Sequence, residues 1–375
     1  MDPFLEYIVN AKNTLEDTPP FMKIHVVMGN ESCDLDSMVS TLALSYYLYK
    51  KVYDPNKVIV VPLLNINSEE LSWRTENCFV LKKIQLDKEN LIYRNNIDLE
   101  EIQTKKTLSV SLVDHHVLKP EDLFLAKSVR QIFDHRPKDS AANWDLDTVR
   151  FVLKEVGSCA TLVAEEIIRS DPSILVANLA TLLYDTITFD TIAYNVEAGK
   201  VKELDLWVAS YLEEKFKFQK TRKALFDELW YAHNNVSHLT PKQLLYKDLK
   251  IVECVLVPGL PMLVQNYLKM NNAISELPRF CEQRKGQIVM LVGLQYAENK
   301  VKRDLAVYPN DDALGKLILK CLNRAIDYCG YSLDLKEVSV NAPKVTCMKQ
   351  ENIKISRKQI LPIIREAILI YRQEK

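Results

Sequence analysis

The sequence predicts an α/β protein, in which a doubly wound, mostly parallel sheet is followed by a smaller α/β domain. Three observations lead to this prediction. Short β-prone runs alternate with helix-like segments through the first half of the chain, which is typical of a parallel sheet. Two of those runs end in acid-and-imidazole tripeptides, at the strand ends where such sheets bind ligands. The length of 375 residues exceeds what one hydrophobic core usually serves.

The first elements establish this alternation. A β-prone run at 24–27 ends at Gly29, and apolar residues then recur at helical spacing from Leu35 to Tyr49. The other β-prone runs of the first half lie at 58–63, 91–94, 108–113, 129–133 and 149–153.

The next segments are predicted to be helical. Residues 156–161 lead into an apolar helix, and a second, mostly apolar helix starts near Ser173 and runs to about Asp185 or a few residues beyond. The stretch 196–222 is rich in Lys and Glu, and its aliphatic positions end at Leu212. We therefore predict a domain linker at 196–222.

This linker separates a first domain at 1–195 from a second domain at 223–375. The second domain is predicted to contain strands at 251–257 and 288–292 and a final helix that begins after Ser356.

The composition is that of a soluble globular protein, with 47% hydrophobic and 26% charged residues. Lys and Arg (49) nearly balance Asp and Glu (50), so a non-specific nucleic-acid binder is disfavoured. No apolar run is long enough to span a membrane. The eight cysteines form no C-x-x-C pair and no secretory signal is seen, so we expect reduced thiols in the cytoplasm. A mitochondrial fraction of the protein is the alternative that the sequence leaves open.

The loop after the first strand carries Asp34 and Asp36, two residues apart before a helix. Their carboxylates can point to one or two metal ions. The alternative is helix capping, because Asp is a usual residue at that position. Capping needs one acid, and two acids at the carboxyl end of a sheet favour a metal site.

Two tripeptides follow later strands: Asp114-His115-His116 and Asp134-His135-Arg136. Carboxylate oxygens suit hard metal ions, and imidazole adds a nitrogen ligand. Asp114 can bridge two metals, His135 can ligate one, and the planar donors of Arg136 suit phosphate. The alternatives are a polar strand end and a surface ion pair.

Two further candidates lie outside these loops. Asp185 closes an apolar helical run, where a carboxylate is costly unless it is paired or bound to metal, and Asp190 is the competing acid. Arg357 and Lys358 open the final helix, where cations beside N-terminal amides can cradle phosphate. The alternatives are an ordinary acid at a helix end and a solvated basic turn.

At these residues the chain resembles the DHH phosphoesterase superfamily, and specifically the Prune-type exopolyphosphatases. The resemblance covers most of the chain and implies a DHH domain followed by a DHHA2 domain that closes over the substrate. It is carried, in order, by residues 29–37, 113–115, 134–137, 156–161, 184–186 and 356–358.

The resemblance implies a site for two Mg²⁺ or Mn²⁺ ions and a water made acidic by both. One metal would be held by Asp34 and Asp114 with Asn30 nearby. The other would be held by Asp36, Asp114, His135 and Asp185. Asp185 is preferred over Asp190 because the last acid of the family sits in an Asp-Thr pair after an apolar run. The residues expected to assist catalysis or bind the phosphate chain are His115, His116, Arg136, Arg357 and Lys358.

The sequence departs from the related family II pyrophosphatases, which have His where Asn30 and Arg136 stand. Asn is a weaker ligand than imidazole, and its oxygen favours Mg²⁺. Those enzymes also carry a lysine near the start of the second domain. His238 is the candidate substitute here, and the alternative is that this contact is missing. The first two changes match the Prune type.

The leading expectation is an exopolyphosphatase that acts on short inorganic polyphosphates. The first alternative is a 3′,5′-cyclic-nucleotide phosphodiesterase, since the same metals and water would serve. The second is a protein that mainly binds nucleoside diphosphate kinase and hydrolyses weakly.

Overall fold

The computed structural model describes residues 2–16, 22–51, 57–105, 108–139, 142–297 and 300–374. The chain divides into two compact units, residues 1–233 and 234–375. Each helix in the described part falls short of the length or the hydrophobicity that a membrane span requires.

The first unit is built on a six-stranded parallel sheet with the strand order β3-β2-β1-β4-β5-β6. Its strands are β1 (Lys23–Met28), β2 (Val58–Leu64), β3 (Ile92–Tyr93), β4 (Leu108–Val113), β5 (Val129–Asp134) and β6 (Arg150–Leu153). The predicted parallel, doubly wound sheet is confirmed.

The helices of this unit, in chain order, are α1 (Pro3–Glu16), α2 (Leu35–Lys51), α3 (Thr75–Lys83), α4 (Leu99–Thr104), α5 (Cys159–Ser170), α6 (Ala177–Asp190), α7 (Glu203–Phe216) and α8 (Arg222–Asn234). Short 3₁₀ turns lie at Ser68–Trp73, Lys88–Asn90, Arg94–Asn96, Pro120–Ser128, Pro172–Ile174 and Val196–Ala198. The second predicted helix starts later than expected, at Ala177, and ends at Asp190, a few residues beyond Asp185 as predicted.

The strand order reverses between β1 and β4. The chain runs outward from β1 to β3 and then crosses back to β4 on the other side of β1. Open α/β sheets bind ligands at this switch point, outside the carboxyl ends of the two strands. The loop that begins at Gly29 leaves β1 there, and Asp114 leaves β4 there.

Helix α2 anchors this end of the sheet. Its residues from Leu35 to Leu48 are all buried, which is why this helix reads as apolar over most of its length. Gly29 lets the strand end approach α2 closely, since a Cβ at that position would lie 2.2 Å from Ser37 Oγ. The loop is thereby held tightly against the start of α2.

The predicted linker at 196–222 contains α7, whose Val208, Ala209 and Leu212 are buried in the core of the first unit. The two units divide between His233 and Asn234. The predicted division differs from this one because a Lys- and Glu-rich segment can still bury one narrow apolar face of a helix.

The second unit contains a mixed six-stranded sheet with the order β11-β12-β10-β9-β8-β7, in which only the β8–β9 pair is parallel among the described strands. Its strands are β7 (Leu249–Val252), β8 (Val255–Leu260), β9 (Ile288–Ala297), β10 (Lys300–Pro309), β11 (Leu335–Val338) and β12 (Thr346–Gln350). Its helices are α9 (Pro241–Lys247), α10 (Val264–Leu268), α11 (Ala273–Gln283), α12 (Asp312–Asn323), α13 (Ile326–Cys329) and α14 (Arg357–Gln373).

The prediction of a single strand at 251–257 is wrong. The chain forms a hairpin there, with β7 ending at Val252 and β8 starting at Val255. Glu253 has a left-handed backbone with a φ of 54°, which reverses the chain. The smaller α/β second domain is otherwise as predicted.

Candidate metal centre

Asn30 stands two residues after β1 and joins its loop to Asp114. Its Nδ2 donates to Asp114 Oδ2 at 2.6 Å and to the Asp114 carbonyl oxygen at 3.1 Å. Its Oδ1 accepts hydrogen bonds from the backbone N–H groups of Ser32 at 2.9 Å and Cys33 at 3.1 Å. The amide oxygen therefore faces its own loop, and Asn30 orients Asp114. This arrangement does not offer Asn30 as a metal ligand, contrary to the expectation from sequence.

Asp34 and Asp36 have different surroundings although they are two residues apart. Asp34 Oδ1 accepts from the N–H of Ser37 at 3.1 Å, so the capping alternative applies to this acid. Asp36 is buried, and its two oxygens accept from the N–H groups of Cys159 at 2.7 Å and Ala160 at 2.8 Å. The first turn of α5 thus holds the Asp36 carboxylate in one orientation.

Asp114 directly follows β4 and has a left-handed backbone with a φ of 56°. Asp tolerates this conformation better than most residues, and strained backbone often occurs at functional sites. Its N–H donates to the carbonyl of Phe133 at 2.9 Å, which keeps it beside the end of β5. Its Oδ1 lies 3.1 Å from Arg136 Nη2 and 3.4 Å from His135 Nε2.

His135 completes a compact group with the two buried acids. Its Nδ1 donates to the carbonyl of Val156 at 2.9 Å, so Nε2 is turned toward the carboxylates. That Nε2 lies 3.7 Å from Asp36 Oδ2. One potential ligand atom from each of Asp36, Asp114 and His135 lies within 4.8 Å of the others. We call these three residues the acid–imidazole cluster.

The charges of the cluster fit a divalent cation. Burial, together with the negative charge of Asp114, raises the pKa of Asp36 to about 7. Burial by itself lowers the pKa of His135, but the carboxylates of Asp114 and Asp36 raise it to about 10. Buried acids that repel each other are stabilised by a cation, and two carboxylates with one imidazole nitrogen can bind a divalent metal ion.

Asp190 lies near this cluster, and Asp185 lies elsewhere. Burial and the negative charge of Asp36 raise the pKa of Asp190 well above its usual range. Its Oδ2 is shielded from solvent and has no hydrogen-bond partner among the described residues. A buried carboxylate oxygen without a partner is costly, and a metal ion would compensate it. The backbone then turns left-handed at residues 192–194, a further sign of local strain.

Asp185 instead pairs with Lys83, whose Nζ lies 2.9 and 2.7 Å from the two carboxylate oxygens. Burial raises its pKa to about 6, and the ammonium group of Lys83 opposes that rise. The two acids are five residues apart, so they project roughly 140° apart around the helix axis at 3.6 residues per turn. The preference for Asp185 over Asp190 is therefore not supported by the geometry.

The two histidines after Asp114 also differ. His116 is buried, its Nδ1 contacts Asp134 Oδ2, and its Nε2 accepts from the N–H of Asp139 at 2.9 Å. Both ring nitrogens are thereby engaged in holding the loop after β5, so the geometry does not support the expected catalytic role of His116.

His115 keeps one ring nitrogen for chemistry. Its Nδ1 donates to the carbonyl of Val113 at 2.9 Å, which leaves the lone pair on Nε2. Burial lowers the pKa of His115, so its imidazole is neutral near pH 7.

The expected phosphate-binding cations fall in both units. The guanidinium of Arg136 contacts Asp114 in the first unit and keeps 40% of its side chain exposed. Arg357 is held within the second unit by Asp248, with Nη2 2.6 Å from Oδ2 and Nη1 2.6 Å from the carbonyl oxygen. Lys358 and His238 are exposed in the second unit.

Two residues that sequence reasoning missed hold the loop after β1. Arg74 is buried, and its Nε donates to the carbonyl of Ser32 at 2.5 Å. Asn77 Nδ2 donates to the carbonyl of Cys33 at 2.9 Å. Arg74 directly precedes α3 and Asn77 lies in its first turn, and only their burial in the structure reveals this function.

Comparison with known proteins gives independent information. Residues 24–187 match the family model described as DHH family, N-terminal domain, and residues 227–367 match the model described as DHHA2 domain. The chain is 35% identical over 370 residues to "Exopolyphosphatase PRUNE1" of Bos taurus, which covers 97% of this chain and 79% of that protein. It is 33% identical over 371 residues to the human protein of the same name, with 98% of this chain and 80% of that protein covered.

Among solved structures, a putative family II inorganic pyrophosphatase from Methanococcus jannaschii superposes with a TM-score of 0.60 at 20% identity. The superposition covers 92% of this chain and 99% of that one. This likeness supports the fold: a parallel-sheet unit followed by a second, smaller unit.

Proposed function

Since the chain belongs to the DHH family and carries a DHHA2 domain, we propose that it removes terminal phosphates from short inorganic polyphosphates with the help of two divalent cations, Mg²⁺ or Mn²⁺. Membership of this family makes it a phosphohydrolase of the exopolyphosphatase type. The observation that carries the finer proposal is the buried acid–imidazole cluster, with the unpartnered Asp190 Oδ2 near it.

We assign the metal ligands from these surroundings. By these surroundings Asp36, Asp114, His135 and Asp190 would hold one cation. Asp34, whose Oδ1 caps α2, stays the ligand that the sequence predicts, together with Asp114, for the other cation. Asp114 would be the shared ligand: its Oδ1 lies toward His135 and its Oδ2 is oriented by Asn30 at the switch point of the sheet. When bound, the cations would supply an acidified water and neutralise charge on the phosphate oxygens.

The reaction itself is hydrolysis of a phosphoanhydride bond. The oxygen of water forms a bond with the terminal phosphorus, and the bond from that phosphorus to the bridging oxygen breaks. The products are inorganic phosphate and a chain one phosphate shorter. His115 is the proposed proton carrier, because its Nε2 keeps the lone pair and burial lowers its pKa.

Arg136 is the proposed phosphate ligand of the first unit. Its guanidinium has five N–H donors in a planar fork that suits phosphate oxygens. Asp114 uses only some of these donors. In the second unit, Arg357, Lys358 and His238 stay predicted phosphate ligands. Lys358 lies in the first turn of α14, where the helix dipole disfavours a cation, and a bound phosphate would relieve this.

A cyclic nucleotide is the second candidate substrate, and a group of aromatic rings favours it. Phe189, the residue before Asp190, is one of a cluster of half-buried rings with Phe226 and Trp230, whose ring centroids lie 5.9 Å apart at 21°. Aromatic faces of this kind can stack on a nucleobase. Inorganic polyphosphate has no group that would use them.

Release of phosphate from tripolyphosphate and cleavage of cyclic AMP, measured side by side with Mg²⁺, separate the two candidates. The proposal predicts metal-dependent turnover of tripolyphosphate that Asp114→Ala abolishes while the fold is retained. Cleavage of cyclic AMP alone would contradict the proposed substrate class.

A further inference from the structure

One short loop contacts two members of the acid–imidazole cluster. The carbonyl of Val156 accepts from His135 Nδ1 at 2.9 Å. Three and four residues later, the N–H groups of Cys159 and Ala160 donate to the two oxygens of Asp36 at 2.7 and 2.8 Å. The position of residues 156–160 therefore sets the direction of His135 Nε2 and of the Asp36 carboxylate together.

Asp205, in the first turn of α7, accepts hydrogen bonds from this loop and from the helix that follows it. Its carboxylate is fully buried. Its Oδ2 accepts from the N–H groups of Gly157 and Lys202, both at 2.8 Å, and its Oδ1 accepts from Thr161 Oγ1 at 2.5 Å. A buried carboxylate is costly without such partners. Two of its three hydrogen bonds come from the loop and from the first turn of α5.

Close packing leaves this loop little freedom to shift. A Cβ at Gly157 would lie 2.5 Å from Thr191 Cγ2 and 3.0 Å from Asp205 Oδ2. Thr191 is the residue after Asp190, so the same contact reaches the end of α6. Gly157, Asp205 and Thr191, the residue after Asp190, are thus closely packed against one another.

We propose that Asp205 is a positioning residue for the metal centre, which acts through the loop 156–160 on Asp36 and His135. This inference rests on the proposed function, since it assumes that these two side chains bind metal. It assigns to Asp205 no contact with metal or substrate.

The test measures Mn²⁺ affinity of the metal-stripped full chain by isothermal titration calorimetry, with kcat and KM for tripolyphosphate as a second readout. We expect Asp205→Ala to weaken Mn²⁺ binding about 10- to 100-fold, as loss of a group that orients metal ligands typically does. KM at saturating Mn²⁺ should change much less than Mn²⁺ affinity.

Asp205→Asn should restore binding to within about threefold of the wild type, because one amide oxygen can still accept both backbone N–H groups while the NH₂ donates to Thr161 Oγ1. The matched control is Asp304→Ala in the second unit. Asp304 is also a buried carboxylate, and it accepts from the N–H groups of Val264 at 2.7 Å and Gln265 at 3.2 Å. This variant should lower the melting temperature and leave Mn²⁺ affinity unchanged.

The possible results separate a failure of the proposed function from a failure of the inference about Asp205. A wild-type chain that binds neither Mn²⁺ nor Mg²⁺ overturns the proposed function, and this inference with it. A wild-type chain that binds Mn²⁺ beside a folded Asp205→Ala variant of equal affinity overturns this inference alone, as does an equal loss in Asp304→Ala. If Asp205→Ala does not fold, Gly157→Ala replaces it: displacing the loop should weaken Mn²⁺ binding, and unchanged affinity in that variant overturns the inference.

Discussion

The Nε2 atom of His135 lies 3.4 Å from Oδ1 of Asp114, and this contact joins the carboxyl ends of two neighbouring parallel strands. The hydrogen bond from His135 Nδ1 to the carbonyl of Val156 keeps the ring turned toward the acid. Asp36 approaches the same ring from the start of α2. Three segments far apart in sequence thus converge where the strand order reverses.

The two acids of α6 provide the first prediction. Asp190→Asn should lower Mn²⁺-dependent turnover of tripolyphosphate at least about 100-fold, because it removes a metal ligand. Asp185→Asn should keep turnover within about threefold, since its carboxylate pairs with Lys83. Steady-state rates at saturating Mn²⁺ check both variants. The reverse pattern would restore Asp185 as the ligand.

The two histidines after β4 should separate activity from stability. Under the proposed role in proton transfer, His115→Gln should lower kcat about 100-fold or more. It should lower the melting temperature only slightly, because the amide of Gln can still donate to the carbonyl of Val113. Circular dichroism melts and initial rates are the measurements. A His115→Gln variant with wild-type kcat would remove this residue from the mechanism.

His116→Gln should behave in the opposite way. It should destabilise the protein by about 1–3 kcal/mol, because Asp134 and the N–H of Asp139 lose a buried partner. Its kcat should stay near the wild-type value at temperatures where the variant is folded. A large drop in kcat with an unchanged melting temperature would show that His116 takes part in catalysis.

The pH dependence of metal binding follows from the raised pKa values of Asp36, about 7, and of His135, about 10. Both groups hold a proton to higher pH than usual, and a metal ion binds only their deprotonated forms. Mn²⁺ affinity should therefore rise with pH, most steeply below about pH 7, where both groups hold a proton, and less steeply from about pH 7 to pH 10, where only His135 does, with release of protons on binding. Calorimetry in two buffers of different ionisation enthalpy measures that release. Affinity that is flat over this range would contradict the assignment.

The phosphate-binding cations should affect KM. Arg136→Gln should raise KM for tripolyphosphate about 10- to 100-fold, as expected for loss of a hydrogen bond between charged groups. Lys358→Ala should raise KM without changing the melting temperature, because its side chain is exposed. Arg357→Ala should also lower the melting temperature, since Asp248 loses its partner. Unchanged KM in all three variants would argue against a polyphosphate substrate.

Much of the fold could be predicted from sequence because each strand of the first unit is a short β-prone run followed by a polar loop. The hairpin at Glu253 could not be predicted, because residues 251–257 look like one continuous strand. The reversal of the chain depends on one left-handed backbone angle. The sequence predicts a linker where helix α7 lies, because the buried face of this helix is narrow and its other residues are polar.

The site was predictable where chemistry and position coincide. Asp36, Asp114 and His135 stand at strand or helix ends, and the structure brings them together. Asp185 and Asp190 both precede a threonine in the same apolar helix, so only the direction of each side chain tells them apart. Asp205 is an ordinary acid in sequence, and its hydrogen bond to the loop 156–160 appears only in the three-dimensional structure.

The most direct test of the account is anomalous scattering from a crystal of the wild-type chain soaked in Mn²⁺. The account predicts two peaks beside Asp114, one of them within ligand distance of Asp36, His135 and Asp190, and none at Asp185. A crystal without peaks at the acid–imidazole cluster, or with its peak at the Asp185–Lys83 pair, would contradict it.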